Sequence, residues 1–239
     1  MEFQELVKAR KSIRGYLNKP VPREVIDAIL EVAKWAPSSM NTQPWHVHVV
    51  TGEPLDRIRK GNTENMVSGV PPKRDFPMKE SYEGLHRKRQ IDVAVQLFEA
   101  MGIARDDKER RTDWVMRGFR QFDAPVSLVL TYDKYLEPAA ISHFDLGALS
   151  HAIVLAAWEH GLGCVINGQG IMQSSVVRKH ACIPDDQSIM ICIAMGYPDQ
   201  SFIANTVKSV REDNAHFVRY VGFDGSSGVA GGGGVEQQD

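Results

Sequence analysis

Apolar residues recur along this chain at two periods, and the change from one to the other sorts its segments into helices and strands. The opening residues predict a short helix ending near Arg10, followed by a loop, "KSIRGYLNKPVP", holding Gly15 and two prolines. "REVIDAILEVAKWA" then sets Val25, Ile29, Val32 and Ala33 at helical spacing, with Pro22 suited to the first turn. "WHVHVVTG" reads as a strand closed by Gly52, and residues 53–60 as helix. Over 61–90 the periodicity breaks down: "SGVPPKRDFP" is turn-rich and "HRKRQ" is a charge cluster, which predicts a surface excursion. Helical spacing resumes over 91–103 and 107–119, and "APVSLVLTYD" predicts a second strand.

The next segment, "SHFDLGALSHAIVLAAWEHGLG", has apolar residues on nearly every face. A helix of that kind must be covered all round, at the centre of a domain or in an interface between chains. Ser142 and Asp145 form a capping-box-like pair at its start, and Gly161 closes it. "CVINGQGIM", a short helix over "SSVVRKHA", a buried strand over "SIMICIAMGYP" and a last strand over "AHFVRYVGF" follow. Residues 225–239, "GSSGVAGGGGVEQQD", are Gly/Ser-rich and expected to be disordered. Helices are many, strands few and their alternation irregular, which argues against a doubly wound nucleotide fold in what reads as one domain over 1–224.

Composition narrows the classes of function. With 43% hydrophobic and 24% charged residues and a net charge of −2, the chain is ordinary globular material with no general polyanion surface. "HRKRQ" continues into no aromatic or basic stripe, so no nucleic-acid partner is expected. The three cysteines, Cys164, Cys182 and Cys192, form no close pair, which suggests a reducing compartment. "MEFQELVKAR" lacks the apolar core of a secretory signal and no segment approaches a membrane-spanning run, so a cytoplasmic chain without a membrane partner is expected.

Four clusters carry candidate chemistry. Arg10, Lys11, Ser12 and Arg14 fit a small anion clamp, or a solvated basic turn. In "APSSMNTQPW", Ser38, Ser39, Asn41, Thr42 and Gln43 place five hydrogen-bonding side chains in six positions. They could read the polar edge of a heterocycle, or serve local bonds at a helix exit. Lys208, Ser209 and Arg211 in "NTVKSVRED" again suit a phosphate or a charged turn. In "INGQGIM", Gly168 and Gly170 let backbone approach a ligand. His46 and His48 share one side of a strand with no third ligand in view, and no metal is expected. His143, His151 and His160 are read as packed or interfacial. With no nucleophile motif and no glycine-rich phosphate cradle, the chemistry comes from an organic cofactor or does not occur.

In order and spacing, "RKSIRGY", "APSSMNTQPW", "DLGALSHAIVLAAWEHGLG" and "NTVKSVRE", with "AMGYPD" upstream of the last, resemble the FMN-dependent nitroreductase family over about residues 3–223. The resemblance implies an α+β homodimer with FMN at the subunit interface. Its central, mostly antiparallel mixed sheet is flanked by helices, and a C-terminal strand around "FVRYVGF" is exchanged between subunits. It implies that Arg10, Lys11, Ser12 and Arg14 bind FMN from one side. Arg10 and Ser12 take the phosphate-ribityl end, Arg14 lies near the pyrimidine edge, and Lys208 and Arg211 lie on the phosphate. Pro37, Ser38, Ser39, Asn41 and Gln43 of the other subunit line ring and tail, and Gln169 and Gly170 bring backbone toward the reactive N5.

The activity implied is NAD(P)H-dependent reduction of nitroaromatics through nitroso to hydroxylamine by a ping-pong cycle, with NADPH or NADH as donor. A flavin, ene- or quinone-type reductase with incidental nitro activity and a non-catalytic flavin-binding protein are the alternatives. Residues 61–122 form the variable substrate-site excursion. There Phe76, Tyr82, Trp114, Phe119 and Phe122 either roof the flavin and stack on the substrate or pack the helices together.

Overall fold

In chain order the elements are α1 (Phe3–Ala9), α2 (Arg23–Ala33), β1 (Trp45–Thr51), α3 (Gly52–Val67), α4 (Gly84–Ala100), α5 (Lys108–Phe119), β2 (Val126–Asp133), α6 (Ala140–Glu159), β3 (Gly163–Asn167), α7 (Ser174–His180) and β4 (Gln187–Gly196). They come from a computed structural model that describes residues 2–76 and 81–223. Two units, Met1–Lys208 and Ser209–Asp239, are each taken by themselves.

The strands form one sheet in the order β1-β2-β4-β3, and all three pairings are antiparallel. Parallel pairing occurs as single bridges, Ser12 with Cys164 and Lys73 with Gln173. β2 is central and buried on both faces, which is why its apolar run is nearly continuous. On one face Leu128, Leu130, Ile193 and Met195 pack against Ile26 and Ile29 of α2 and Leu146 and Ile153 of α6. On the other, Val129, Ile189 and Cys192 meet Leu55 and Ile58 of α3 and Val177 of α7.

Four expectations are corrected. α3 runs on to Val67 through "GNTENMV", a stretch poor in helix formers. Tertiary contacts override propensity there: buried Asn62 donates to the carbonyls of Phe119 and Gly170, and Gly61 fits against Val176. α4 starts at Gly84, so "HRKRQ" forms its exposed first turns. α6 starts at Ala140 with no side-chain cap, because Ser142 and Asp145 are buried within the helix. By length and a mean hydropathy of 1.4, α6 is also apolar enough to cross a membrane, against the expectation that no segment is. Half of it is buried on the sheet and α2, as in a core helix, while Ile141 and Phe144 stay exposed.

In the second unit the described residues form no strand over "AHFVRYVGF"; Asn214–His216 is a 3₁₀ turn whose first N–H groups Asp213 caps. The segment expected to be disordered, 225–239, lies outside the described residues.

Between α5 and β2 the backbone turns left-handed at three successive residues, Gln121, Phe122 and Asp123, with φ of 55°, 55° and 57°. None is glycine, so this is strained backbone held by its surroundings. Arg59 donates to the carbonyls of Arg120 and Ala124 on either side of it, and Arg117 and Arg120 both reach the Asp123 carboxylate.

The cysteines differ sharply in exposure. Burial raises the thiol pKa of Cys164 and pushes that of Cys192 up to about 12, whereas Cys182 is exposed. The thiolate is the nucleophile. A maleimide added to the native protein is therefore expected to label Cys182 and spare the other two until the chain is unfolded. Mass spectrometry of the native adduct, with Cys182→Ser as control, checks this.

Candidate functional site

The Arg10–Tyr16 segment lies along the outer edge of β3. The Ile13 N–H donates to the Cys164 carbonyl at 3.0 Å, and the Ile13 side chain, 1% exposed, points into the core. Gly163 is glycine because a Cβ there would meet the Ile13 side chain at 2.4 Å. Alternation along an extended segment puts Ser12 and Arg14 on the opposite side from Ile13, and both are half-buried, as are Arg10 and Lys11.

The backbone of this segment is held by a residue that sequence reasoning passed over. Asn205 is 5% exposed, and its side-chain oxygen accepts from the N–H groups of Arg14 (2.8 Å) and Gly15 (3.2 Å). Its amide nitrogen donates to the carbonyls of Gly15 (2.8 Å) and Asp199 (2.9 Å). "NTVKSVRED" begins with this asparagine, but its charges draw the eye first. Asn205 joins the start of that segment to "RKSIRGY". Arg117 of α5 adds a further bond, donating to the Arg14 carbonyl at 3.1 Å.

The Arg14 side chain is the electrostatic anomaly. Burial lowers its pKa, with the nearby Tyr16 opposing the shift slightly. Its guanidinium reaches the Ser12 carbonyl at 3.5 Å, and among the described residues no carboxylate pairs with it. A guanidinium stays charged in a protein, so this is a desolvated cation with donors to spare.

The loop after α2 is a second polar cluster. Ser38 and Thr42 flank a 3₁₀ turn over Ser39–Asn41, and Met40, Asn41 and Gln43 have φ of 51°, 58° and 47°. Ser38 accepts from the Gln43 N–H, Gln43 donates to the Asn41 carbonyl, and the Ser39 N–H donates to Asp145. Local bonding therefore uses Ser38 and Gln43, while Ser39, Asn41 and Thr42 keep free side-chain polar groups among the described residues. Pro37 is exposed beside them. The loop's hydrogen bonds bring it to α6, and none joins it to Arg14 or Ser12.

In "INGQGIM" the glycine reading is corrected. Gly170 is not open to a ligand on its Cα side: a Cβ would meet Cys192 Sγ at 2.6 Å and Gln121 Cγ at 2.8 Å. It is glycine for packing, and its carbonyl accepts from Asn62 at 2.9 Å. The Gln169 side chain lies against Gly118 of α5 and donates to the Val115 carbonyl, and its own carbonyl accepts from the Met172 N–H. Asn167, also unassigned from sequence, fixes this turn by donating to the Gly118 carbonyl at 2.7 Å and accepting from the Gln169 N–H at 2.9 Å.

Among the aromatics proposed for the substrate, three are corrected to packing roles. Phe119 and Phe122 are 3% and 7% exposed, and Phe76 packs on the α3–α7 side of the core with its ring 6.0 Å from that of His143. Trp114 is half-buried against Phe122, and Tyr82 is 46% exposed. Lys208 is exposed. Arg211, in the second unit, donates to the hydroxyl and carbonyl of Ser209. His46 pairs with Asp133 at 2.9 Å and His48 with Gln187 at 2.8 Å, while His143 meets the Tyr132 hydroxyl at 3.0 Å.

The sequence profile of the nitroreductase family matches residues 7–197, which include the Arg10–Arg14 segment, the polar loop and the Asn167–Gly170 turn. The chain belongs to this family. It is 35% identical over 225 residues to a chloronitrobenzene nitroreductase of Comamonas testosteroni, covering 92% of this chain and 96% of that one. With a nitrobenzene nitroreductase of Ectopseudomonas oleovorans it shares 36% identity at the same coverage. Its fold superposes on the FMN and NADPH-dependent nitroreductase NfnB from sphigopyxis sp. strain HMH with a TM-score of 0.88 at 28% identity, over 93% of this chain and 100% of that one. This nitroreductase thus has the nitroreductase-like fold, an antiparallel sheet with helices on both faces.

Proposed function

We propose that this chain is an NAD(P)H-dependent FMN nitroreductase that reduces nitroaromatic compounds, working as a soluble cytoplasmic homodimer. The observation that carries this reading is the half-buried Arg14 guanidinium, left without a carboxylate on a segment shared with the family. The residues fit the cofactor. Arg14 offers a cation to the electron-rich pyrimidine edge, Arg10, Ser12 and Lys208 offer donors to the phosphate and ribityl chain, and Ser39, Asn41 and Thr42 present unpaired polar groups. When bound, FMN supplies two-electron transfer between a reduced nicotinamide and a nitro group. The chain's own part is to orient it and to place positive charge where electron density rises. One open face serving nicotinamide and nitroarene in turn gives parallel-line steady-state kinetics, with a hydroxylamine as product.

A dimer is supported by the outward side of α6, where Ile141 and Phe144 are 49% and 73% exposed, and by β1, whose outer edge has no strand partner among the described residues. An edge left open in that way invites a strand from another chain. Phe217, Tyr220, Val221 and Phe223, all exposed, give the C-terminal segment the apolar side chains for the exchange.

The test is direct. The purified protein should be yellow, release FMN on denaturation, bleach with NADPH or NADH in the absence of oxygen, and recover its colour on addition of nitrobenzene. A flavin that bleaches but recovers only with quinones or enones would replace the nitro reading, and a protein that takes up no FMN would end it.

A further inference from the structure

Asp145 lies in the second turn of α6 and is 1% exposed, yet both of its carboxylate oxygens accept from one group, the backbone N–H of Ser39, each at 3.2 Å. Among the described residues no lysine, arginine or histidine pairs with it. A carboxylate removed from water is costly to keep unless it forms a strong bond, and here that bond goes to the polar loop.

The loop is held in a shape that its residues resist. Met40, Asn41 and Gln43 all have positive φ, and none is glycine. Met40 is 94% exposed, so packing of its side chain does not explain its backbone. Among the described residues the polar groups of Ser39, Asn41 and Thr42 gain no bond from this shape either. What the shape does provide is a fan of hydroxyls and amides facing outward, tied to α6 by the Ser39 N–H.

We propose that Asp145 is a positioning residue: its carboxylate holds Ser38–Gln43 in the left-handed form that presents the loop to the flavin. This rests on the FMN reading of the site. The strain and the anchor then form a pair, and relieving the strain should compensate for losing the anchor.

The experiment measures FMN affinity of the full-length protein by flavin fluorescence for wild type, Asp145→Asn, Asp145→Ala and the double variant Asp145→Ala/Met40→Gly. Loss of the bond is expected to weaken FMN roughly 10–100-fold in Asp145→Ala, and Asp145→Asn, which keeps an acceptor oxygen without the charge, should fall between it and wild type. Met40→Gly should restore part of that affinity in the Asp145→Ala background, because glycine adopts positive φ freely. A residue that served only the stability of α6 would show no such rescue. Wild-type affinity in both single variants, or no rescue by Met40→Gly, overturns the proposal.

Should Asp145→Ala fail to fold, hydrogen exchange at the Ser39 amide decides the matter in Asp145→Leu, which keeps the bulk and offers no acceptor. Exchange much faster than in wild type supports the anchor, and unchanged exchange overturns it. A wild-type protein that ignores FMN overturns the functional reading instead, and the same Ser39 exchange then judges the anchor alone.

Discussion

Asn205→Ala is expected to lose flavin and stability together. The side chain satisfies four partners at 2.8–3.2 Å, among them two adjacent backbone N–H groups on the segment that carries Arg14. Truncation leaves those groups without partners in a buried place, and each such orphan costs about 1–3 kcal/mol. Allowing for relaxation, a net loss of about 3 kcal/mol is expected, which for a chain of this size lowers Tm by about 6–12 °C. Asn205→Asp keeps the acceptor and loses the donor, so it should fall between the two. Thermal melts of the flavin-free protein, followed by FMN titration, check both effects. Wild-type values in either measurement would contradict the assembly described above.

Arg14→Met should separate what Asn205→Ala joins. Methionine keeps most of the apolar stem and removes a partly buried charge that has no carboxylate partner among the described residues. The flavin-free protein should therefore melt at or slightly above the wild-type temperature. Binding should suffer, because a hydrogen bond to a charged donor is worth about 1.5–3 kcal/mol, or roughly 10–100-fold in affinity. Arg14→Lys should recover part of it, since lysine restores the charge without the planar fork. Titration calorimetry with FMN beside melting curves gives the comparison. A large fall in Tm with unchanged affinity would make Arg14 a structural residue.

What could be read from the sequence follows from how far each signal reaches along the chain. The β2 and β4 strands are continuous apolar runs, and α2 and α5 carry their own periodicity, so their patterns are complete within themselves. The end of α3 was not legible because Asn62 is fixed by Phe119 and Gly170, 57 and 108 residues away. Asp145 looked like a cap because its spacing from Ser142 suits one, whereas its partner lies 106 residues earlier. The same limit applies to the site. Charged residues such as Arg14 announce themselves by type, but Asn205 and Asn167 matter through the backbone they grip. Aromatic residues mislead in the opposite way: Phe119 and Phe122 stand out by type, yet they face the core.

The left-handed corner at Gln121–Asp123 has a stereochemical consequence. Mirror-image amino acids would occupy that corner at ease, so a semisynthetic chain with D-alanine at position 123 should keep its turn even without the arginines around it. The natural chain has the opposite chirality, and Arg59, Arg117 and Arg120 help to hold it bent. As urea loosens those contacts this corner should spring first, carrying α5 away from Asn167 while the sheet is still whole.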